Sequence, residues 1–259
     1  MAPYRIRALA LKKTKLGESD LIVTLLAEDG CQVRAVAKGA RKSGSRFGGR
    51  VEPFTVADLM LRSGRTLETI TDVEVVVTHA PLREDYDRAQ AASVVADFLD
   101  KATVECQRED RLFALACATL DAMESAEGDT LLALVVAFLL KGMAMHGYRP
   151  QFDACVSCGV PVGDEAPFAF ESGGPACDGC CAADGALVAG FAPLPKGARN
   201  ALRALMGARM SEVGSLGIPG RVLAEAFAVI RAFVAWHVPA RMKALGMYAS
   251  ELARTSREG

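Results

Sequence analysis

Histidine is scarce in this chain: three residues among 259, and none of His79, His146 and His237 stands in an H-E-x-x-H or H-x-E arrangement. The metalloprotease and nucleobase-deaminase chemistries that depend on such spacings therefore lack their ligands and base. Each histidine falls near an expected helix or strand end, where a terminus or packing role is expected. There is no P-loop, no dinucleotide fingerprint and no G-x-S-x-G elbow, and no carboxylate cluster of the kind a metal-dependent nuclease needs. Glu84, Asp85 and Asp87 read instead as a polar linker and first helical turn, where acids suit the helix dipole. Long apolar runs are also missing. The longest, Leu131 to Leu140, is stopped by Lys141 and Gly142; it is too short for a hydrocarbon core of about 30 Å and predicts a buried helix. No secretory segment, internal repeat or low-complexity tract is visible, so the expectation is a cytoplasmic protein that meets no membrane.

Cysteine, by contrast, is patterned. Of eight cysteines, Cys155 and Cys158 form one C-x2-C pair and Cys177 and Cys180 a second, with Cys181 directly behind. Two such pairs at the spacing of a small β-ribbon can set four thiolates around one Zn²⁺, and four sulfur ligands leave no open position, so the site is expected to be structural. Gly159 and Gly179 offer the backbone freedom a tight turn needs, Gly173-Gly174-Pro175 reads as a turn, and Phe168 and Phe170 alternate on a strand placed to cover the ion. A disulfide pair or a thioredoxin-like centre fits less well, since neither pair opens a helix in a βαβ pattern. Cys31, Cys106 and Cys117 stand alone in apolar surroundings and read as reduced core residues.

The net charge of −1 conceals an asymmetry. From Met1 to Ala80 thirteen Lys and Arg face nine Asp and Glu, and the remainder carries seventeen against twenty-two, about +4 and −5. Strands are expected at Tyr4–Leu11, Leu21–Ala27, Cys31–Ala37, Val51–Leu61 and Leu67–Val77, with Glu28-Asp29-Gly30 as a hairpin turn. Five short strands in such a stretch suggest an antiparallel barrel of the OB type, which binds oligonucleotides. Between Arg34 and Arg50 lie Arg34, Lys38, Arg41, Lys42, Arg46 and Arg50 with no acidic residue. Glycines and serines make this a mobile loop, with Phe47 available to stack on a base. Cations on a flexible loop beside a barrel suit the phosphates of single-stranded DNA or RNA; a solvated basic loop is the plainer alternative.

Helical spacing takes over at Arg88–Thr103, Arg111–Ser125 and Thr130–His146, and resumes after the cysteines at Lys196–Met206 and from Val222 to before Pro239. The expected architecture is α+β and multidomain: an OB barrel over residues 1–80, one helical bundle from 81–150 and 190–259, and a zinc-binding ribbon inserted at 151–189.

With these pieces in order, the chain resembles the RecO family of bacterial recombination mediators over nearly its full length. The matching stretches are ALALKKTKLGESDLIVTLLAEDG, VAKGARKSGSRFGG, FLLKGMAMHGYRPQFDACVSCG, GGPACDGC and FVAWHVPARMKALGMY. The resemblance implies a non-enzymatic protein of DNA repair that binds single-stranded DNA, with double-stranded DNA left open. It implies annealing of strands covered by single-strand-binding protein, help to RecA loading together with RecR, and a location at the nucleoid. Lys38, Arg41, Lys42 and Arg46 fall on the family's basic segment, and Cys155, Cys158, Cys177 and Cys180 on its zinc positions, with Cys181 beside the last. For the family's pocket for the single-strand-binding protein tail, Lys141 is the candidate here. A zinc-dependent nucleic-acid-modifying enzyme and a protein-only zinc-ribbon adaptor are the alternative functions.

Overall fold

A computed structural model describes residues 2–103, 108–183 and 190–258. In chain order the elements are β1 (Tyr4–Leu16), β2 (Asp20–Ala27), β3 (Gln32–Ala37), β4 (Val56–Arg62), β5 (Glu68–Val77), α1 (Pro81–Glu84), α2 (Tyr86–Ala102), α3 (Asp110–Met123), α4 (Gly128–Met145), β6 (Glu165–Ala169), β7 (Gly174–Pro175), α5 (Asp178–Ala183), β8 (Phe191–Pro195), α6 (Lys196–Gly207), α7 (Gly220–His237) and α8 (Lys243–Glu258). Packing divides the chain into two compact units, Met1–Glu124 with Met242–Gly259, and Ser125–Arg241. Thus α2, α3 and α8 fall with the barrel and α4, α6 and α7 with the cysteine segment, a division that the ranges 81–150 and 190–259 did not draw.

In the first unit the strands close into a barrel in the order β1-β2-β3-β5-β4. Neighbours are antiparallel except β3 and β5, which run parallel over Ala35↔Glu68 and Val36↔Thr69. This is the OB-type barrel the strand pattern suggests. Alternation along each strand sends Ala8, Ala10, Leu25, Ala35, Ala37, Leu59 and Ile70 inward, and small alanines facing leucines let side chains fill a narrow barrel. The Glu28-Asp29-Gly30 turn forms as expected: Gly30 has φ +83°, and a Cβ there would collide with the backbone of Glu109. The strand expected at Val51–Leu61 begins only at Val56. Gly48–Val51 is a 3₁₀ turn and Phe54 sits at φ +74°, a reversal that apolar residues alone do not announce.

The outer wall carries α2. Gln32 Nε2 donates to Asp100 O at 3.1 Å and Thr103 Oγ1 at 3.2 Å, supplying partners at a helix end that lacks its own. Asp85 caps the other end, accepting from Arg88 N–H at 2.9 Å. Against α2 lies α8, held by Ala244 N–H donating to Asp97 Oδ2 at 2.8 Å. His79, 1% exposed at φ +46°, places Nδ1 2.8 Å from Glu124 Oε1 at the end of α3, the packing role expected of it.

The second unit is built around α4. That helix is long and apolar enough to cross a membrane by length and composition, but 67% of it is buried inside the protein, and every residue from Leu131 to Leu140 is covered. It packs on α6 and α7, as a helix apolar on all sides must. The strands form a small sheet in the order β7-β6-β8. Phe168 on β6 meets Phe233 of α7 edge-on at 5.5 Å. Phe168 thus packs on α7, as does Phe170, whose ring lies 6.0 Å from Trp236. Cys31 and Cys117 are half-buried, burial pushing the Cys117 thiol up to about 12; Cys106 lies outside the described residues.

Candidate nucleic-acid interface and candidate metal centre

The segment after β3 leaves the barrel and returns through consecutive turns. Lys42 N–H donates to Gly39 O at 3.1 Å, Ser45 N–H to Lys42 O at 3.1 Å and Arg50 N–H to Phe47 O at 3.1 Å. Ala40, Phe47 and Val51 enter the barrel core. Phe47 is 4% exposed, which corrects the expectation of a ring free to stack on a base: it anchors the loop, and its apolar surface is worth more inside the barrel than in water. The Arg46 guanidinium covers its ring at 4.7 Å, a cation–π contact that holds the charge outward.

The six expected cations are all exposed but differ in setting. Gly39 N–H donates to Asp20 Oδ1 at 2.8 Å and Ser19 Oγ to the same oxygen at 2.9 Å. Those bonds, with Lys38 and Lys42 nearby, hold the Asp20 carboxyl below its ordinary value. Lys38 and Lys42 thus stand together at the β1–β2 end of the barrel. Arg41 joins them, but its Nη1 donates to Gly17 O at 3.2 Å and Glu18 O at 2.8 Å, so its side chain also ties the loop to the hairpin. Arg34 projects from the wall of β3, in register with Thr24. Arg50 lies apart, donating to Val73 O at 3.4 Å and lining a cavity of about 430 Å³ with Asp72 and Glu74, where carboxylates offset its charge. Lys15, exposed and in register with Leu21, which in turn pairs with Ala37, sits at the same end as Lys38. Sequence reasoning passed over it, although the run Lys12-Lys13-Thr14-Lys15 was its signal; Lys12 and Lys13 pair with Asp100 and Glu52.

The second site is a cluster of thiols. The Sγ atoms of Cys155, Cys158, Cys177 and Cys180 all lie within 4.8 Å of one another, and those of Cys158 and Cys177 are 3.7 Å apart. A tetrahedron with metal–sulfur bonds of about 2.3 Å requires about 3.8 Å between sulfurs, so the donor set fits a metal ion. Gly159 at φ +76° lets the first turn close, its N–H donating to Cys155 O at 2.9 Å. The second turn is helical: Cys180 lies in α5 and Cys181 N–H donates to Cys177 O at 2.9 Å. Gly179 is therefore helical and not the flexible pivot expected, and the second pair does open a helix, though a short one following β7 outside any βαβ unit. Cys180, not Cys181, belongs to the cluster. Backbone N–H groups of Cys177 and Cys158 draw the buried Cys155 thiol down to about 6, while hydrogen bonds with Cys158, Cys177 and Cys155 push Cys180 up to about 12. Thiols so close cannot all shed their protons without a cation among them.

Two family models match this chain. One, described as Recombination protein O N terminal, covers residues 1–79, and the other, Recombination protein O C terminal, covers residues 83–246. The chain belongs to the RecO family. Curated relatives named DNA repair protein RecO include one from a Nocardioides species, 38% identical over 253 residues, covering 93% of this chain and 97% of the relative. The protein of that name from Rubrobacter xylanophilus is 38% identical over 241 residues, 92% of this chain and 94% of its own. Another, from Frankia casuarinae, is 35% identical over 247 residues, 95% and 98% of the two chains. The two RecO matches adjoin at His79 and Arg83, where the barrel ends and α1 begins. Lys141, the candidate for a RecO tail pocket, is half-buried and donates to Met206 O at 2.7 Å, so its ammonium already has a partner.

Proposed function

We propose that this chain is a DNA repair and homologous recombination mediator that binds single-stranded DNA and anneals complementary strands without a chemical step. The observation that carries the reading is the group Lys38, Arg41 and Lys42 at one end of an OB-type barrel, on a segment with no acidic residue from Arg34 to Arg50. Two polyanionic strands repel each other; a cationic surface releases their counterions, screens the repulsion and raises their local concentration, so base pairing proceeds unaided. No nucleotide hydrolysis enters. In this reading residues 1–80 grip the sugar-phosphate chain, and the helices of 81–150 and 190–259 with the ribbon of 151–189 hold and position it. Zn²⁺ held by Cys155, Cys158, Cys177 and Cys180 fixes the ribbon's two turns and leaves no position for substrate. The chain acts in the cytoplasm at the nucleoid, on gaps covered by single-strand-binding protein, and with RecR helps RecA to load there.

The test is annealing of complementary oligonucleotides covered by single-strand-binding protein, with and without RecR. The expected result is pairing faster than the unassisted rate, needing no ATP and falling steeply with salt. Pairing that depends on ATP hydrolysis, or no acceleration at low salt, contradicts the reading.

A further inference from the structure

In the unit Ser125–Arg241 two aromatic rings stay in solvent among the described residues, Tyr148 at 43% and Trp236 at 47% exposed. Neither is a stray side chain. The Tyr148 ring lies 4.1 Å from that of His237 at an interplanar angle of 30°, and His237 Nε2 is 2.8 Å from Phe170 O. The Phe170 ring is 6.0 Å from Trp236, and the buried ring of Phe233 meets His237 edge-on at 4.7 Å. Both exposed rings therefore stand on an ordered aromatic base, and little side-chain freedom is left to lose when something covers them. Tyr148 through His237 and Trp236 through Phe170 thus belong to one aromatic cluster, and exposed apolar surface grouped in this way marks a contact site where single scattered side chains do not.

The charge beside the rings says which kind of contact. Arg149 follows Tyr148, is exposed, and has no carboxylate partner among the described residues. Its charge is felt by Lys141, whose ammonium burial and Arg149 together hold below the ordinary lysine value. The carboxylate adjoining Phe170 in sequence is Glu171. Flat rings with an uncompensated guanidinium match a chain that offers π-faces and anions in alternation, which is single-stranded nucleic acid; a purely apolar partner would leave Arg149 facing nothing.

We propose that Tyr148, Trp236 and Arg149 form a second single-stranded DNA contact, where bases stack on the two rings and the guanidinium takes a phosphate. It rests on the annealing reading and extends it: annealing needs two strands held at once, and one chain then holds one strand at the barrel end and the other here.

Trp236 is the sole tryptophan of the chain, so its fluorescence reports this contact without a label. With the full chain, oligo(dT) is expected to quench Trp236 in a salt-sensitive manner. The quench should persist, at higher oligonucleotide concentration, in the variant Lys38→Ala with Lys42→Ala and Arg46→Ala, which removes three cations of the basic segment. Tyr148→Ser with Arg149→Ala, assayed at a temperature where the thermal melt shows the variant folded, should slow annealing about tenfold, the scale of one lost base–aromatic stack. The proposal is overturned if anisotropy of labelled oligo(dT) reports binding while Trp236 does not respond, or if the Tyr148 and Arg149 variant anneals like the parent. A response to an acidic peptide but none to oligo(dT) assigns the face to a protein and likewise overturns it. Quenching in a parent chain that does not anneal sinks the annealing reading and leaves this contact standing.

Discussion

The thiol cluster and the cationic barrel end are held in place in opposite ways. At the cluster each pair is set by its own turn, through bonds of Gly159 N–H to Cys155 O and Cys181 N–H to Cys177 O, four residues apart. At the barrel end the loop is set from afar: Arg41 by the carbonyls of Gly17 and Glu18, Gly39 by Asp20, Phe47 by the core. Local bonding makes the cluster one unit that a metal ion would hold together, whereas Gly39, Arg41 and Phe47 each have their own distant partner. Substitutions should therefore act all together in the first region and one by one in the second.

The largest effect is expected from Cys155→Ser or from chelation of the metal. Metal binding to such sites is folding free energy, so limited proteolysis should open the chain within 151–183. Binding of single-stranded DNA at the barrel should stay within about twofold, as expected of two sites that share no partners. Loss of both together would break the contrast. Next comes Phe47→Ala, which removes a buried aromatic and should cost about 3 kcal/mol in denaturant unfolding, with oligonucleotide affinity of the folded protein little changed. A stable variant that loses DNA would return Phe47 to a base-stacking role. Arg41→Ala should cost about 1 kcal/mol through its two carbonyl bonds, while Lys42→Ala, exposed, should leave the melt unchanged and act on DNA alone.

The smallest effect is a pH dependence. The Asp20 carboxyl is held below its ordinary value by Gly39 N–H and Ser19, so its stabilisation is present above the unfolded value of about 3.9 and is lost as pH falls through the lower folded value. Asp20→Asn should be slightly less stable than the parent at neutral pH, and the gap should narrow in acid. A gap that widens in acid would contradict the assignment.

What sequence makes legible follows the same division. The cysteine spacing gave the cluster because both turns are local, although it could not tell that Gly179 would be helical, since a C-x2-C pair can close in a loop or at a helix start. Strand alternation gave the barrel, because half-buried strands must alternate. It placed the start of β4 too early, as Val51, Phe54 and Val56 are apolar alike and only the reversal at Phe54 separates them. The charge run at Arg34–Arg50 named the cations, but not that Arg50 would sit with Asp72 and Glu74 or that Arg41 would hold a hairpin, because both depend on residues distant in sequence. Tyr148 and Trp236 left no joint signal for the same reason.

The central claim is that the barrel-end cations grip the sugar-phosphate chain. It is tested most directly by the salt dependence of oligonucleotide binding in the parent and in Lys38→Ala with Lys42→Ala and Arg46→Ala. Each phosphate contact on a single strand contributes about 0.7 to the slope of log affinity against log salt. The variant should therefore bind more weakly at every salt concentration with a slope shallower by about 2, and an unchanged slope and affinity would contradict the claim.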